Sequence, residues 1–276
     1  MTQPAEAPTV PQDGNVGSLF RAGRLAEAID AANVAVRKRP TDVANRILLA
    51  ELLLFSGNLE RADTLLDAAG DIDPMAAVAI AEFRQLVRGE MARRQLFRDG
   101  RMPEFLDGPT AAQRHALAAL VAVRDGDSAG AAALAAEAEA ARVHPSGEAP
   151  SGPFDDLRDA DDIMGGTFEV LTTTGKYFWI PMERVVTATF HPPKRPRDLY
   201  WRRVTMEVAN GPEGDVYIPA IYPHSAEDEA QRLGRATDWH QDADGPVRGM
   251  GGVTVLLGDD AVTLMELERL TVQAAA

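Results

Sequence analysis

A set of four residues recurs in the first half of the chain at a fixed separation. Each member reappears 34 positions further on, as Gly23, Leu25, Ala28 and Pro40 followed by Gly57, Leu59, Ala62 and Pro74. A constant period of this length is typical of stacked helical hairpins, in which small residues let neighbouring helices approach and a proline ends each unit. The repeat therefore constrains this part of the chain to an array of paired helices.

Hydrophobic residues inside the repeated units follow the helical period. Leu25, Ile29 and Ala32 fall on one helical face. Residues 111–142 are rich in alanine and predict two further helices around a short Asp-Gly-Asp turn. We therefore predict a tetratricopeptide-like α-helical repeat domain over residues 16–143.

The pattern changes beyond the repeats. Residues 144–153 are rich in proline, glycine and serine, which predicts a linker. Residues 154–276 carry short segments of alternating hydrophobicity and predict a small twisted sheet or partial barrel. Residues 1–15 lack an apolar core and predict a disordered tail. The predicted fold class is α+β, with the tetratricopeptide-like α-helical repeat domain followed by a small β-rich α+β domain.

The β-rich half contains a hairpin signal at Thr174-Gly175, which separates alternating segments at 167–173 and 176–180. A helix is predicted at 226–233. The remaining predicted strands lie at 185–190, 204–209, 215–218, 253–257 and 264–270.

Charge and composition exclude several classes of function. The formal net charge is −14 and the pI is about 4.8, whereas nucleic-acid-binding proteins usually present a broad basic surface. The same charge disfavours adhesion to an anionic membrane, and no apolar run is long enough for a transmembrane helix. The chain has no cysteine, so it has no disulfide and no thiolate site. These features fit a cytoplasmic protein that binds neither nucleic acid nor membrane.

The sequence contains no recognisable catalytic motif. A phosphate-binding loop, a nucleophile elbow and a zinc-protease helix are all absent. The aspartate-rich run at 155–162 has two interpretations, the start of a helix or a site for a hard cation. Its spacing does not fit an EF-hand loop, so the helix start is the preferred interpretation. We expect a protein that is not an enzyme and that uses no cofactor and no metal.

A basic segment stands out against the acidic background. Residues 192–203 contain three prolines, five basic residues and the adjacent aromatics Tyr200 and Trp201. The prolines predict an extended, rigid loop. Such a loop could meet a partner through arginine and aromatic side chains. Its arginines could equally pair with the aspartates at 155–162 in the same half of the chain. The sequence leaves both interpretations open.

Several motifs of the second half together resemble one known family. They are the string from Phe154 to Asp161, the strand Gly175-Lys-Tyr-Phe-Trp-Ile-Pro181, the segment from Pro192 to Trp201, the string from Leu233 to Trp239, and Gly245-Pro-Val-Arg-Gly-Met-Gly251. In this order they resemble the ImpE/TagJ family of type VI secretion accessory proteins. Met182 departs from the pattern, since an aromatic residue is frequent there.

This resemblance implies a function. Members of the family are cytoplasmic, non-enzymatic parts of the contractile secretion apparatus. They associate with the N-terminal helix of the small sheath subunit TssB and act alongside the unfoldase ClpV, which not all of the family's systems contact directly. The alternative is a general tetratricopeptide scaffold or chaperone, which would show no preference for sheath sequences.

Five residues are candidates for the partner surface. They are Arg195, Arg197, Trp201, Arg235 and Trp239. The groove of the helical repeats is the other candidate, because a repeat array can accept an amphipathic helix. Each tryptophan could instead be a core residue, since large aromatics bury most of their area.

Overall fold

The computed structural model describes residues 15–223 and 228–273. The predicted disordered tail lies outside these ranges except for Asn15, whose side chain accepts a hydrogen bond from the Gly17 amide and caps the first helix. Seven helices form the first half: α1 Val16–Arg21, α2 Leu25–Lys38, α3 Val43–Phe55, α4 Leu59–Ile72, α5 Ala77–Asp99, α6 Ala111–Arg124 and α7 Ser128–Ala141.

The repeated residues have the roles that the period predicts. Gly23 and Gly57 close the α1–α2 and α3–α4 turns with φ of 82° and 78°, a conformation that side chains disfavour. Ala28 and Ala62 are fully buried between helices. A helical repeat domain is therefore confirmed.

The second half is built from antiparallel strands. They are β1 Gly147–Ala149, β2 Gly152–Phe154, β3 Leu157–Asp159, β4 Thr167–Leu171, β5 Tyr177–Pro181, β6 Val185–Phe190, β7 Trp201–Val208, β8 Glu213–Pro219, β9 Thr237–His240, β10 Arg248–Gly251, β11 Thr254–Leu257, β12 Asp260–Thr263 and β13 Arg269–Val272, with helix α8 Glu229–Arg232 between β8 and β9. The α+β fold class is confirmed.

Eight of the strands form one large sheet in the order β2-β1-β13-β6-β7-β8-β4-β5. One face of this sheet packs against the helices through Leu171, Tyr177 and Trp179. The opposite face contributes to a second core, which β11 of a three-stranded sheet, β12-β11-β3, helps to close. The large sheet is thus the middle layer between the helices and the small sheet.

The structure differs from the sequence prediction at the linker. Residues 144–153 contain β1 and the start of β2; β1 pairs with β2 on one side and with β13 on the other. Gly147 is needed for this contact, because a Cβ there would lie 2.2 Å from the Thr271 carbonyl oxygen. Pro153 lies on the edge strand, where a missing N–H breaks no ladder. Glycine and proline here serve strand packing, and the segment is no free linker.

The aspartate-rich run is also not a helix start. It forms β3 followed by a turn, in which the Asp159 carboxylate accepts the Asp161 amide and the Asp161 carboxylate accepts the Ile163 amide. Such local bonds compete with helix formation. The predicted strand at 264–270 is likewise shorter than expected, since β13 begins at Arg269.

Helix α5 joins the two halves through buried charges. Arg93 donates from Nε to Glu169 Oε1 at 2.9 Å and from Nη2 to Glu169 Oε2 at 2.7 Å. It also donates to the Ile221 carbonyl at 3.0 Å. Tyr177 donates to Glu169, and Trp179 Nε1 donates to the Tyr177 hydroxyl at 2.7 Å. The helix is thereby bonded to the sheet through a fully buried network.

Electrostatics favour the charged form of Arg93 and the neutral form of Tyr177. Burial disfavours the Arg93 charge, but the Glu169 and Glu90 carboxylates together outweigh that effect and raise the pKa of the guanidinium above its ordinary value. Burial and the Glu169 carboxylate raise the pKa of Tyr177 well above its ordinary value, so its hydroxyl stays a donor.

In the described part of the chain, no helix combines the length and apolar character needed to cross a membrane.

The network generates a stability prediction. Arg93→Met should lower the free energy of unfolding by about 3–5 kcal/mol, because it leaves the buried Glu169 carboxylate without its cation. Arg88→Met on the exposed face of the same helix is the control and should change it by less than about 0.5 kcal/mol. Urea unfolding of both variants measures the difference. Equal effects would contradict a special role for Arg93.

Candidate functional site

The basic loop between β6 and β7 lies against the helical repeats. It contains a single 3-10 turn, Pro196–Leu199, which packs on α3. The carboxylate of Asp198 accepts the Lys194 amide at 2.8 Å and the Arg195 amide at 3.1 Å, which fixes the start of this turn. The loop is therefore ordered by its own aspartate and held against the first half of the chain.

Both loop arginines face the repeats. Arg195 forms an ion pair with Glu51 of α3, a side chain that is buried. The Arg197 guanidinium lies 4.7 Å from the centre of the Phe83 ring of α5, a cation–π contact. Neither Glu51 Oε1 nor Arg197 Nε makes a hydrogen bond within the described part of the chain. Charge and packing, rather than aligned hydrogen bonds, hold this contact.

The two loop aromatics are core residues. Trp201 is 1% exposed and its Nε1 donates to Glu90 Oε2 at 3.1 Å. The Tyr200 hydroxyl donates to Glu90 Oε1 at 3.1 Å and accepts from Arg94 at 2.9 Å. Burial, with the Glu90 charge, raises the pKa of Tyr200 to about 12. The prediction that Trp201 lies on a partner surface is wrong, because its indole fills the contact between α5 and the sheet.

The remaining two candidates are Arg235, which contacts the end of α1, and Trp239, which lies on the two-stranded sheet formed by β9 and β10. Arg235 donates to the Phe20 carbonyl at 2.7 Å and the Arg21 carbonyl at 3.0 Å, at the end of α1. Trp239 on β9 is 41% exposed, with its ring centre 6.1 Å from that of Tyr222. Of the five candidates, Arg195, Arg235 and Trp239 are exposed, Arg197 is partly buried and Trp201 is buried. Within the described part of the chain, Trp239 is the candidate with no contact to α1, α3 or α5 given above.

These contacts share one feature: they cover the face formed by the first helix of each hairpin. That face belongs to α1, α3 and α5, which receive Arg235, Arg195 and Trp201 respectively. A repeat array normally offers partners an extended concave surface. Here the chain's own β-rich half occupies the face lined by these three helices. A partner must therefore use another surface or displace this contact.

The second sequence interpretation of the loop, pairing with the aspartate-rich run, is wrong. The loop arginines do not pair with the aspartate-rich run, whose members have other partners. Asp156 pairs with Arg142 at 2.6 Å, and Asp161 accepts from Arg248 at 3.0 Å. Burial, with the nearby Asp161 charge, raises the pKa of Asp159 to about 8. Among the described residues, no cluster of three acidic or histidine side chains could hold a metal ion.

Sequence reasoning missed an apolar groove on the β-rich half. It has a volume of about 330 Å³ and lies between the β4–β5 and β7–β8 hairpins, on the sheet face turned away from the helices. Its apolar lining is Leu106, Val170, Phe178, Met206, Val208 and Val216. The alternating pattern of β7 and β8 predicts that these side chains share a face. It does not predict that the face is left open at this end.

The Glu51–Arg195 pair generates a pH prediction. Burial raises the pKa of Glu51 to about 7, although Arg195 and Arg197 act to lower it. Because the folded pKa exceeds the unfolded value, Glu51 stabilises the fold at low pH, and this contribution is lost as pH rises from 4.5 to about 7. Glu51→Gln removes the free-energy cost of ionising a buried carboxyl group at position 51. Its stability relative to wild type should therefore be about 2 kcal/mol more favourable at about pH 8 than at about pH 5.

Urea unfolding at both pH values checks this, with Glu60→Gln on the exposed face of α4 as the control. The control difference should not change with pH by a comparable amount. A Glu51→Gln difference that is flat with pH would contradict the assignment.

Comparison with known proteins places this architecture in a family. Residues 151–271 match the family model described as ImpE protein, and residues 19–82 match the tetratricopeptide repeat model. The crystal structure of protein VPA1032 from Vibrio parahaemolyticus matches with a TM-score of 0.88 and 28% identity, covering 94% of this chain and 98% of that one.

A curated relative, the type VI secretion system accessory component TagJ of Pseudomonas aeruginosa strain PAO1, is 33% identical over 223 residues. The match covers 80% of this chain and 79% of the relative, so it extends across both halves. The chain therefore belongs to the ImpE/TagJ family of type VI secretion accessory proteins.

Proposed function

We propose that this protein is a non-enzymatic, cytoplasmic adaptor of a type VI secretion system. It binds the N-terminal helix of the small sheath subunit TssB and modulates sheath assembly or ClpV-linked recycling. The observation that carries this proposal is the 33% identity to a type VI accessory component over four fifths of the chain. Tetratricopeptide-like repeats support a role in binding proteins.

The hydrogen bonds of the buried carboxylates support a role without catalysis. Glu90, Glu169 and Asp161 are buried carboxylates, and each is bonded to groups of the protein itself. A general acid or base needs a group that can reach a substrate. These carboxylates instead join one part of the fold to another.

The covered repeat face bears on the alternative, a general tetratricopeptide scaffold or chaperone. Such a scaffold binds many segments through an open groove. In this chain the β-rich half lies over α1, α3 and α5, which disfavours an open, permissive groove. Arg195, Arg235 and Trp239 are exposed and Arg197 is partly buried, so these four remain candidate contacts for the sheath helix.

A peptide titration tests the proposal. The labelled probe is the N-terminal helix of the small sheath subunit from the same genome, and the control is a peptide of the same composition in scrambled order. We expect a Kd of about 1 µM or tighter for the native peptide and at least about tenfold weaker binding of the scrambled one. Equal binding of the two would favour the general scaffold. No binding to the folded protein would overturn the sheath assignment.

A further inference from the structure

The apolar groove between the two hairpins has no cover within the described part of the chain. Elsewhere on the same sheet face, Val255, Leu264 and Leu267 complete the second core. At the β5 end the face stays open, and Phe178, Val216 and Leu106 are only partly buried. An apolar groove left open in this way is a candidate interaction site.

A glycine on β8 leaves one position of the groove without a side chain. Gly214 lies directly opposite Met206 in the β7–β8 pair, so any side chain at this position would enter the groove. A Cβ built on Gly214 meets no atom within 4 Å. The strand thus keeps a position where a Cβ would meet open space.

The groove suits protein side chains better than a small ligand. Small-molecule sites combine an apolar wall with a few convergent polar groups. Here the polar groups lie at the rim and are mostly used: Lys176 pairs with Glu104 at 2.9 Å, and Arg203 pairs with Asp215 at 2.5 Å. The floor consists of aliphatic, methionine and phenylalanine side chains.

The bound segment must dock through side chains and not through its backbone. An added strand would need the free edge of β5, the last strand of the large sheet. That edge is already in use, because Glu104 donates its amide to the Tyr177 carbonyl at 2.8 Å and accepts the Trp179 amide at 3.0 Å. A helix satisfies its own backbone and presents two apolar side chains one turn apart, which matches a short apolar groove.

The rim charge selects the flanking residues of the partner. Glu213 lines the groove, and its exposed carboxylate has no ion pair or hydrogen bond to the described residues. The chain as a whole carries a charge of −14, which attracts basic partners and repels acidic ones.

We propose that this groove binds an amphipathic helix of a protein partner. Two apolar side chains one turn apart fill the space beside Gly214 and Met206, and a basic residue next to them pairs with Glu213. The inference rests on the proposed function only for the identity of the partner. It places a binding surface on the side of the sheet opposite the helical repeats, as an alternative to a contact through Arg195 and Arg235.

Two variants and a control test the groove. Gly214→Phe fills it, and should weaken helix binding by at least about tenfold. Glu213→Lys reverses the rim charge and should weaken binding of a basic helix by about threefold to tenfold, with the loss shrinking at high salt. Ala261→Leu adds an apolar side chain to the exposed strand β12, away from the groove, and should leave the Kd within about twofold.

Two probes separate this inference from the proposed function. One is a designed helix with leucines on one face and lysines on the other; the second is the sheath-subunit helix. If the sheath helix binds Gly214→Phe as tightly as wild type, the groove is not the binding site and the proposed function stands. If only the designed helix binds, and Gly214→Phe abolishes that binding, the groove stands and the sheath assignment fails. Failure of both probes to bind wild type at millimolar concentration overturns the groove.

A direct measurement covers the case in which Gly214→Phe does not fold. The Met206 methyl group lies in the groove and gives its own NMR signal, which Met206→Leu identifies. Titration of the designed helix into wild-type protein should shift this signal at the peptide concentrations that produce binding. Binding without any shift of the Met206 methyl signal would contradict the proposed position.

Discussion

The buried pair between Arg93 of α5 and Glu169 of β4 is the interaction on which the rest of the structure depends. A buried guanidinium or carboxylate without its partner is strongly unfavourable, so neither half can bury its own charge alone. Glu90, one turn before Arg93 on the same helix, accepts bonds from Tyr200 and Trp201 at the start of β7. Helix α5 therefore serves as a shared element of both halves, and each half completes the polar bonding of the other.

This constraint changes what the repeats do. Helices α1, α3 and α5 direct their shared face at the chain's own β-rich half, with Arg235, Arg195 and Trp201 filling it. The repeats orient the sheet, and the opposite sheet face is covered by the second core except at the groove near β5. In the binding mode proposed above, a partner helix meets a rigid sheet, so little ordering cost arises in the protein itself on binding.

Local chemistry made much of the fold predictable. The period fixed by Gly23 and Gly57 predicts the helical hairpins, and Thr174-Gly175 predicts the β4–β5 turn. The partners of the basic loop were not predictable, because arginine beside aromatics suits a contact inside the molecule as well as one outside it. Glu51 and Glu90 look like ordinary helix residues until the sheet packs on them. The groove depends on the register that sets Gly214 against Met206, which short-range patterns do not specify.

The central claim is that the two halves form one cooperative unit through α5, and equilibrium unfolding in urea tests it directly. Trp179 and Trp201 are buried at the contact, so in a Trp239→Phe background their fluorescence reports its loss. Far-ultraviolet circular dichroism reports the helices, which belong almost entirely to the first half. If the two halves unfold as one cooperative unit, the fluorescence and circular dichroism transitions coincide at one midpoint. Two separate midpoints would contradict a single cooperative unit, whether the helical signal is lost before the tryptophan signal changes or survives after it.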